Sequence, residues 1–539
     1  MKTHYFLLLL FLFSCTGKSK QSVDLLIEAS AIYTMDENVP ECTSMLVHNG
    51  KIVALGSKDS LLQLYNPLEI RKVEGYIYPS FIDAHCHFIS LAKTTLNVDL
   101  TGAASWQEVL DRCIDFANNY PNAWINGRGW DHSLWEVAEL PTNEELNTLF
   151  PETPVFIRRI DGHAGLANKK ALELAGLNEQ TSIEGGELLK NKNGQLTGLL
   201  IDNAMQAVND LIPAHSRPQL IKAIIKTASY LNSLGLSTLA DAGMSYDDVM
   251  LIDSLQQEGV IKLRIYAMLH AEKANLHIAS AGQINKPELV MRSFKLYADG
   301  ALGSEGAKLK KHYCTNTENH GLLLLSPDSL KWWYQKIYNL GFQAHTHCIG
   351  DSANALVLNL YNEVMQNNPQ LRWRIEHAQV VDTSDFKLFK GIIPSIQPIH
   401  AMSDRRWALK KLCPNRMPGA YAYNSLLQAA GIVAIGTDFP VEHPNPIENF
   451  KSAVVRKSQS LSQWNGVIPN EGLHAEDALF GMTKWAAYSL FMENICGSLR
   501  PNLEADFVLL SHDLLKQNID FDTKIAVKEM YFKGVKLDL

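Results

Sequence analysis

A (β/α)8 barrel, joined to a small β-sandwich domain built from both ends of the chain, is the α/β fold this sequence predicts. Two observations predict it. Eight apolar runs of strand length alternate with longer helical patterns through the middle of the chain. Short apolar segments with turn signals stand at both ends, before residue 76 and after residue 496. A third feature, a long segment between the first and second runs, marks an insertion into the barrel.

At the chain start, Lys2 supplies a positive charge and residues 6–13 form an unbroken apolar run. That run is too short to span a bilayer and has the length of a secretory h-region. Leu12-Phe13-Ser14-Cys15 resembles a bacterial lipoprotein cleavage box. On this reading residues 1–14 are a signal peptide, Cys15 is the lipidated mature N-terminus and residues 15–23 are a polar tether. The protein is then exported and lipid-anchored to a bacterial cell membrane, on its periplasmic or cell-surface side. A plain secretory signal cut nearby is the other reading.

Residues 24–75 and 497–539 are assigned to the β-sandwich. Asn49-Gly50 between two apolar runs is a strong hairpin signal. Ala505 to Leu510 and Val527 to Phe532, the latter followed by a Lys533-Gly534 turn, have the same texture and suit pairing with the N-terminal strands.

The barrel is assigned to residues 76–496. Its first strand is Pro79-Ser80-Phe81-Ile82-Asp83-Ala84-His85-Cys86-His87, led in by Tyr76-Ile77-Tyr78. The other seven runs are residues 236–241, 262–269, 293–299, 342–347, 372–377, 393–398 and 432–438. Pro394 and Pro398 leave the ends of the seventh run poorly defined. The insertion covers about residues 97–211 and is rich in Trp, Gly and Asp, as in Asn126-Gly127-Arg128-Gly129-Trp130-Asp131 and Arg158-Arg159-Ile160-Asp161-Gly162-His163. Emerging from the first βα loop, it sits at the barrel mouth.

With 20% charged and 46% hydrophobic residues, the 539-residue chain is globular and long enough for a large core. A net charge of -8 lacks the basic balance that nucleic acid binding requires. Eight cysteines show no C-x-x-C pair and no framework spacing, so mostly free, buried thiols are expected. Composition leaves homo-oligomerisation open.

Alternate side chains of a strand share a face, so His85 and His87 project together while Cys86 points away. Two imidazoles at the end of a buried strand are half of a metal site. A bare His-x-His is as readily a pair of ordinary polar residues. Barrel chemistry gathers at the C-terminal ends of strands. There the fourth run carries Lys295, the fifth His345 and His347, the sixth Glu376 and His377, and the eighth Asp438. Singly each His is more often a satisfied core residue; metal-ligand types at five of eight ends point to a metal site.

With these residues in place the sequence resembles the amidohydrolase superfamily, specifically its family 3 branch of metal-dependent hydrolases. The resemblance runs through the first strand, Gly129-Trp130-Asp131, Asp161-Gly162-His163-Ala164 and Lys295-Leu296-Tyr297-Ala298-Asp299-Gly300-Ala301-Leu302-Gly303-Ser304. It continues through His347-Cys348-Ile349-Gly350-Asp351, Arg374-Ile375-Glu376-His377-Ala378, Gln397-Pro398-Ile399-His400 and Gly436-Thr437-Asp438-Phe439-Pro440-Val441. Ser80 departs from the usual glycine, at a turn and not at a ligand.

The resemblance implies one or two divalent metals, zinc above all, with His85 and His87 on the more buried ion and His347 and His377 on the second. It implies Lys295 as a bridging ligand carboxylated by carbon dioxide, since an ammonium cannot bind a cation and a neutral lysine can form a carbamate. A salt-bridged lysine beside a single metal is the alternative. Asp438 would bind metal and shuttle the proton. Trp130, Asp161, His163 and His400, in loops expected at the mouth, and His345 are candidates for substrate contact, with a purely structural role the equal alternative for the loop residues, and Asp299 is a candidate for support of Lys295. The implied activity is hydrolysis of a carbon–nitrogen bond other than a peptide bond, in a small amide, formamide or cyclic amide. A deaminase of the same superfamily and a non-catalytic lipoprotein that binds a small molecule are the alternatives.

Overall fold

The computed structural model describes residues 20–119, 124–213, 215–366, 368–455, 471–515, 519 and 522–539. Residues 1–14, expected as a signal peptide, and Cys15 lie outside them. Among the described residues, no helix is long and apolar enough to cross a membrane.

All eight expected barrel strands form. They are β1 (Phe81–Cys86), β2 (Leu236–Met244), β3 (Arg264–His270), β4 (Leu289–Tyr297), β5 (Gln343–Cys348), β6 (Arg374–His377), β7 (Ile393–Ile396) and β8 (Ala434–Ile435). Each pairs in parallel with the next, in chain order. The ring closes just past β8, where the Asp438 amide donates to the His85 carbonyl at 2.7 Å. Gly436 permits this approach, because a Cβ there would lie 2.3 Å from the His85 nitrogen. The prolines resolve the seventh run: β7 ends at Ile396, and Pro398 takes the first position of the helix Pro398–Ser403.

The covering helices follow from periodicity. In Pro327–Asn339, between β4 and β5, the buried Leu330, Trp333, Tyr334 and Ile337 recur at helical spacing and face the barrel. Ser326 caps that helix by accepting from the Ser329 amide at 3.2 Å. Outward strand residues such as Leu239, Ile265, Phe294 and Ile375 share one core with these helices. Inside the barrel, Ile82, Ala84, Ala240, Tyr266 and Met268 form a second core with Ala486, Ala487 and Leu490. The C-terminal strand ends are thus left to polar side chains.

Both chain ends build one β-rich unit, an eight-stranded sheet of seven strands in line with Tyr65–Lys72 branching from Gln21–Tyr33. Two expected boundaries move. Tyr76–Pro79 belongs to this sheet, pairing with Phe507–Leu510, and does not lead into the barrel. The chain changes sheets at Ser80, whose amide donates to the Asp506 carbonyl at 3.1 Å. An apolar run suits either sheet, so composition alone could not place it. The range expected as a tether, residues 15–23, overlaps the first strand, Gln21–Tyr33, in which Val23 is fully buried.

The insertion forms its own six-stranded sheet, from Val98–Asp99 to Leu196–Asp202, with separate apolar cores. Cys42, Cys86, Cys113, Cys348 and Cys496 are free thiols, while Cys314 and Cys413 form a disulfide across 99 residues of sequence. That pairing joins the loops after β4 and β7, which sequence spacing gave no means to connect.

Candidate active site

Strand ends bring the candidate residues to one point. His85 is fully buried; its Nδ1 faces Glu376 Oε2, leaving Nε2 directed at Asp438 Oδ1 (3.5 Å) and Lys295 Nζ (3.5 Å). His87 Nε2 stands 3.2 Å from Asp438 Oδ1. On the other carboxylate oxygen, His400 Nε2 stands 3.3 Å from Asp438 Oδ2, and its Nδ1 meets Glu442 at 3.1 Å. His377 packs beside them, its ring centroid 4.8 Å from that of His85.

Two trios of ligand-type atoms result. His85, His87 and Asp438 bring one atom each within 4.8 Å of one another, as do His377, His400 and Asp438. Asp438 is shared. His347 stands beside the second trio, its ring centroid 4.5 Å from that of His377 and its Nε2 3.4 Å from the Gly300 carbonyl. His400, expected only as a substrate contact, thus stands beside His377 as well; carboxylates on both of its ring nitrogens hold its imidazole well above the usual range, whereas burial keeps His347 a neutral acceptor.

The backbone helps to aim these groups. His377 (φ 75°) and Asp438 (φ 62°) both adopt the left-handed region that non-glycine residues avoid. Such strain gathers at functional sites, held by the surrounding structure. Here Asp83 does part of the holding: it accepts from Thr437 Oγ1 at 2.6 Å and from the Thr437 and His85 amides at 3.1 Å each. Burial pushes the Asp83 carboxyl up to about 7, against these bonds.

Glu376 is the orienting group that the sequence reading left without a role. It is fully buried and accepts from Arg374 Nε and Nη2 at 2.8 Å each, and it faces His345 Nδ1 at 2.8 Å as well as His85. Burial favours its neutral form; the Arg374 charge and the two imidazoles outweigh this and hold it well below the usual carboxylate range. An ionised Glu376 keeps the His85 proton on Nδ1 and frees the Nε2 lone pair. Its only sequence signal was the period-2 pairing of Arg374 and Glu376 on one strand face.

The donor set fits a divalent metal. Burial lowers the imidazoles of His85, His87 (to about 4), His347 and His377, so their nitrogens are neutral acceptors. Asp438 Oδ1 and His377 Nδ1 are buried without a hydrogen-bond partner, which is costly unless something else satisfies them. Neutral imidazoles with a carboxylate suit zinc-like ions. Lys295 is 1% exposed, and burial lowers its amine to about 8. Its nearest partners are His85 and the Tyr297 ring, 4.6 Å from Nζ to the centroid. Among the described residues no carboxylate lies within ion-pair distance of it.

These groups open into a cavity of about 1010 Å³, shared by the barrel mouth, the insertion and the loop after β7. Asp161 and His163 line its insertion side; Asp161 is held by Arg159 at 2.5 Å and His163 by Asp202 at 2.6 Å.

Three expectations fail geometrically. Trp130 is fully buried in the insertion core, its indole donating to the Ile157 carbonyl at 3.0 Å, and makes no part of the cavity. His345 lies fully buried behind Glu376, out of reach of a substrate. Asp299 accepts from the amides of Lys308 (2.7 Å), Ile349 (3.0 Å) and Gly350 (2.8 Å), fixing the loop after β5 and not supporting Lys295.

A sequence model described as the amidohydrolase family matches residues 74–535. The chain belongs to the amidohydrolase family. Its relatives include Protein LONG AFTER FAR-RED 3 of Arabidopsis thaliana, 31% identical over 537 residues, 95% of this chain and 91% of that protein. N-substituted formamide deformylase of Arthrobacter pascens is 24% identical over 555 residues, covering 96% of this chain and 98% of the relative. A solved metal-dependent hydrolase of Pyrococcus furiosus, uncharacterised, superposes with a TM-score of 0.71 at 25% identity, over 91% of this chain and 100% of that one. This amidohydrolase therefore carries the metal-dependent hydrolase fold, with candidate metal-binding His and Asp groups at its strand ends.

Proposed function

We propose that this amidohydrolase hydrolyses a carbon–nitrogen bond other than a peptide bond, in a small amide, formamide or cyclic amide. The observation that carries this reading is Asp438: one carboxylate shared by two histidine trios, with Oδ1 lacking a hydrogen-bond partner and Oδ2 steadied by His400. The likeness to a formamide deformylase supports the substrate class.

His85, His87 and Asp438 would hold one zinc ion, and His347 with His377 a second. A divalent ion bound there supplies a Lewis acid and water acidified towards neutral pH. Asp438 takes the proton from the attacking water and delivers it to the leaving nitrogen, the role of a general acid–base within hydrogen-bond reach. Its carboxyl, held well below the usual carboxylate range against burial by the bond from His400 and the neighbouring imidazoles, is ionised and ready to accept. Glu376 fixes His85, and the fully buried barrel interior behind it excludes water from that side. Lys295, neutral in part because it is buried, would add its amine to carbon dioxide and lose a proton, giving a carbamate that would supply two anionic oxygens as ligands.

Export with a lipid on Cys15 belongs to the same reading. A disulfide between Cys314 and Cys413 supports an oxidising compartment. The test combines metal analysis with a hydrolysis screen over N-acyl amines, N-formyl compounds and cyclic amides. Stoichiometric zinc with turnover of a member of this panel is expected; a metal-loaded protein that releases ammonia from aminated heterocycles and cleaves none of the panel overturns it.

A further inference from the structure

The insertion places a guanidinium in the active-site cavity that the chemistry above leaves unused. Arg128 lies on the insertion strand Ile125–Trp130 and lines the cavity with His87, Lys295 and Asp438. Its side chain donates from Nε (3.3 Å) and Nη2 (2.9 Å) to one carbonyl, that of Ile160. A guanidinium has five N–H donors. Both Nη1 donors and one on Nη2 therefore have no partner among the described residues.

The neighbouring arginines differ. Arg159 is closed off by Asp131 at 2.6 Å and Asp161 at 2.5 Å. Arg158 donates to Asn209 at 3.2 Å and lies over the Phe156 ring. Among the described residues no carboxylate comes within ion-pair distance of Arg128, although it is buried enough for desolvation to lower its pKa. Asp161, the acid next to its anchoring carbonyl, is already committed to Arg159.

The local backbone is shaped for this. The strand's register with Val155–Arg159 shifts between Arg128 and Trp130, and Gly129 there has φ 118°. A side chain at Gly129 would strike the Thr101 amide at 2.5 Å. In a regular strand Arg128 and Trp130 would share a face; the irregularity separates them, sending Trp130 into the insertion core and Arg128 to the cavity. Gly162 completes the setting, since a Cβ there would stand 3.1 Å from Arg128 Nη2.

We propose that Arg128 is a specificity residue that binds a carboxylate on the substrate, so that the preferred substrate is an amide of an amino acid nitrogen carrying that carboxylate. The inference rests on the carbon–nitrogen hydrolase reading. A planar fork with free adjacent N–H groups matches a carboxylate in two parallel bonds, and burial strengthens a charge-assisted bond relative to water. The guanidinium is half-buried in the cavity wall with its free N–H groups open to the cavity, so an anionic substrate group can reach it and pair with a partly desolvated cation.

Matched pairs differing in one carboxylate test this on the metal-loaded protein: N-formylglycine with N-methylformamide, N-acetylglycine with N-methylacetamide, and hippurate with N-methylbenzamide. The wild type is expected to favour the acid of a pair, mainly through KM. In Arg128→Gln that preference, taken as a ratio of kcat/KM values, falls roughly 10- to 100-fold, the scale of a charge-assisted pair. Arg128→Lys keeps the charge without the fork and restores part of the ratio; it also serves if the glutamine variant fails to fold. Parallel loss on both members of a pair, or no preference in the wild type, overturns the assignment. If no pair is cleaved, calorimetric binding of hippurate against N-methylbenzamide separates the two readings. Hippurate affinity that drops selectively in the variants keeps the Arg128 assignment while the hydrolase reading fails; equal binding to wild type and variants overturns the assignment itself.

Discussion

His400 Nε2 meets Asp438 Oδ2 at 3.3 Å, on the carboxylate oxygen opposite the one that faces His87 at 3.2 Å. One carboxylate is thereby steadied by imidazoles on both sides while Oδ1 keeps a lone pair without a hydrogen bond. A structural cap needs no such arrangement; a group that must take up and release a proton in a fixed place does.

Asp438→Asn follows from that geometry. An amide keeps an oxygen for coordination and cannot accept the proton. Metal content should stay near that of the wild type while kcat falls on the order of 10²- to 10⁴-fold, the usual worth of general acid–base catalysis. Metal analysis beside steady-state kinetics checks it, and full turnover in the variant removes Asp438 from proton transfer.

Glu376→Gln acts one layer deeper. The wild-type carboxylate compensates the fully buried Arg374 and orients His85 and His345. Leaving a buried charge uncompensated costs about 3–5 kcal/mol, and loss of a histidine's orienting carboxylate lowers metal affinity ~10- to 100-fold. A lower melting temperature together with zinc lost to a mild chelator is expected. Unchanged zinc retention would reduce Glu376 to a packing role.

How much of this was legible in the sequence depends on distance along the chain. The strand ends were readable because β-alternation and ligand residue types act locally: His85, His87, Lys295, His377 and Asp438 all arrive at one centre. The bond from His85 to Glu376 crosses the barrel over 291 residues, and nothing in either local pattern announces it. His400 looked like a loop residue because its partner, Asp438, belongs to the next strand end. Trp130 was expected in a loop at the mouth; it ends a strand of the insertion sheet instead, where the irregularity at Gly129 turns the indole inward. Tyr76–Pro79 was misplaced because the barrel and the terminal sheet ask the same apolar character of it.

Asp404 predicts a pH dependence of stability. It lies in the loop after β7, accepts from Tyr421 Oη at 2.7 Å and is approached by the Gln379 amide at 3.0 Å. Burial pushes its carboxyl up to about 7. A carboxyl raised on folding binds its proton more tightly in the native state. Its contribution is therefore fully present below the unfolded value near 3.8 and is lost as pH rises towards about 7. Asp404→Asn cannot ionise and should flatten this part of the profile. Melting temperatures of wild type and variant between pH 5 and pH 8, at matched metal loading, measure it; parallel curves would show that Asp404 stays ionised throughout.

Lys295 gives the sharpest chemical test of the ligand set. It is buried beside His85 Nε2, and no described carboxylate balances a charge on it. Burial lowers the amine to about 8, which leaves a usable neutral fraction near physiological pH. Carbon dioxide adds to that neutral amine and to no ammonium, so modification should grow with bicarbonate and fail in acid. Protein equilibrated with carbon-13 bicarbonate and zinc is expected to show one slowly exchanging carbamate carbon by NMR, absent from Lys295→Met. Zinc per chain should fall in that variant, because a methionine side chain supplies no anionic oxygen to join the two histidine trios. Equal zinc content and the same carbon signal in wild type and variant would leave Lys295 as an unmodified buried amine, and the two trios would have to be joined through Asp438 alone.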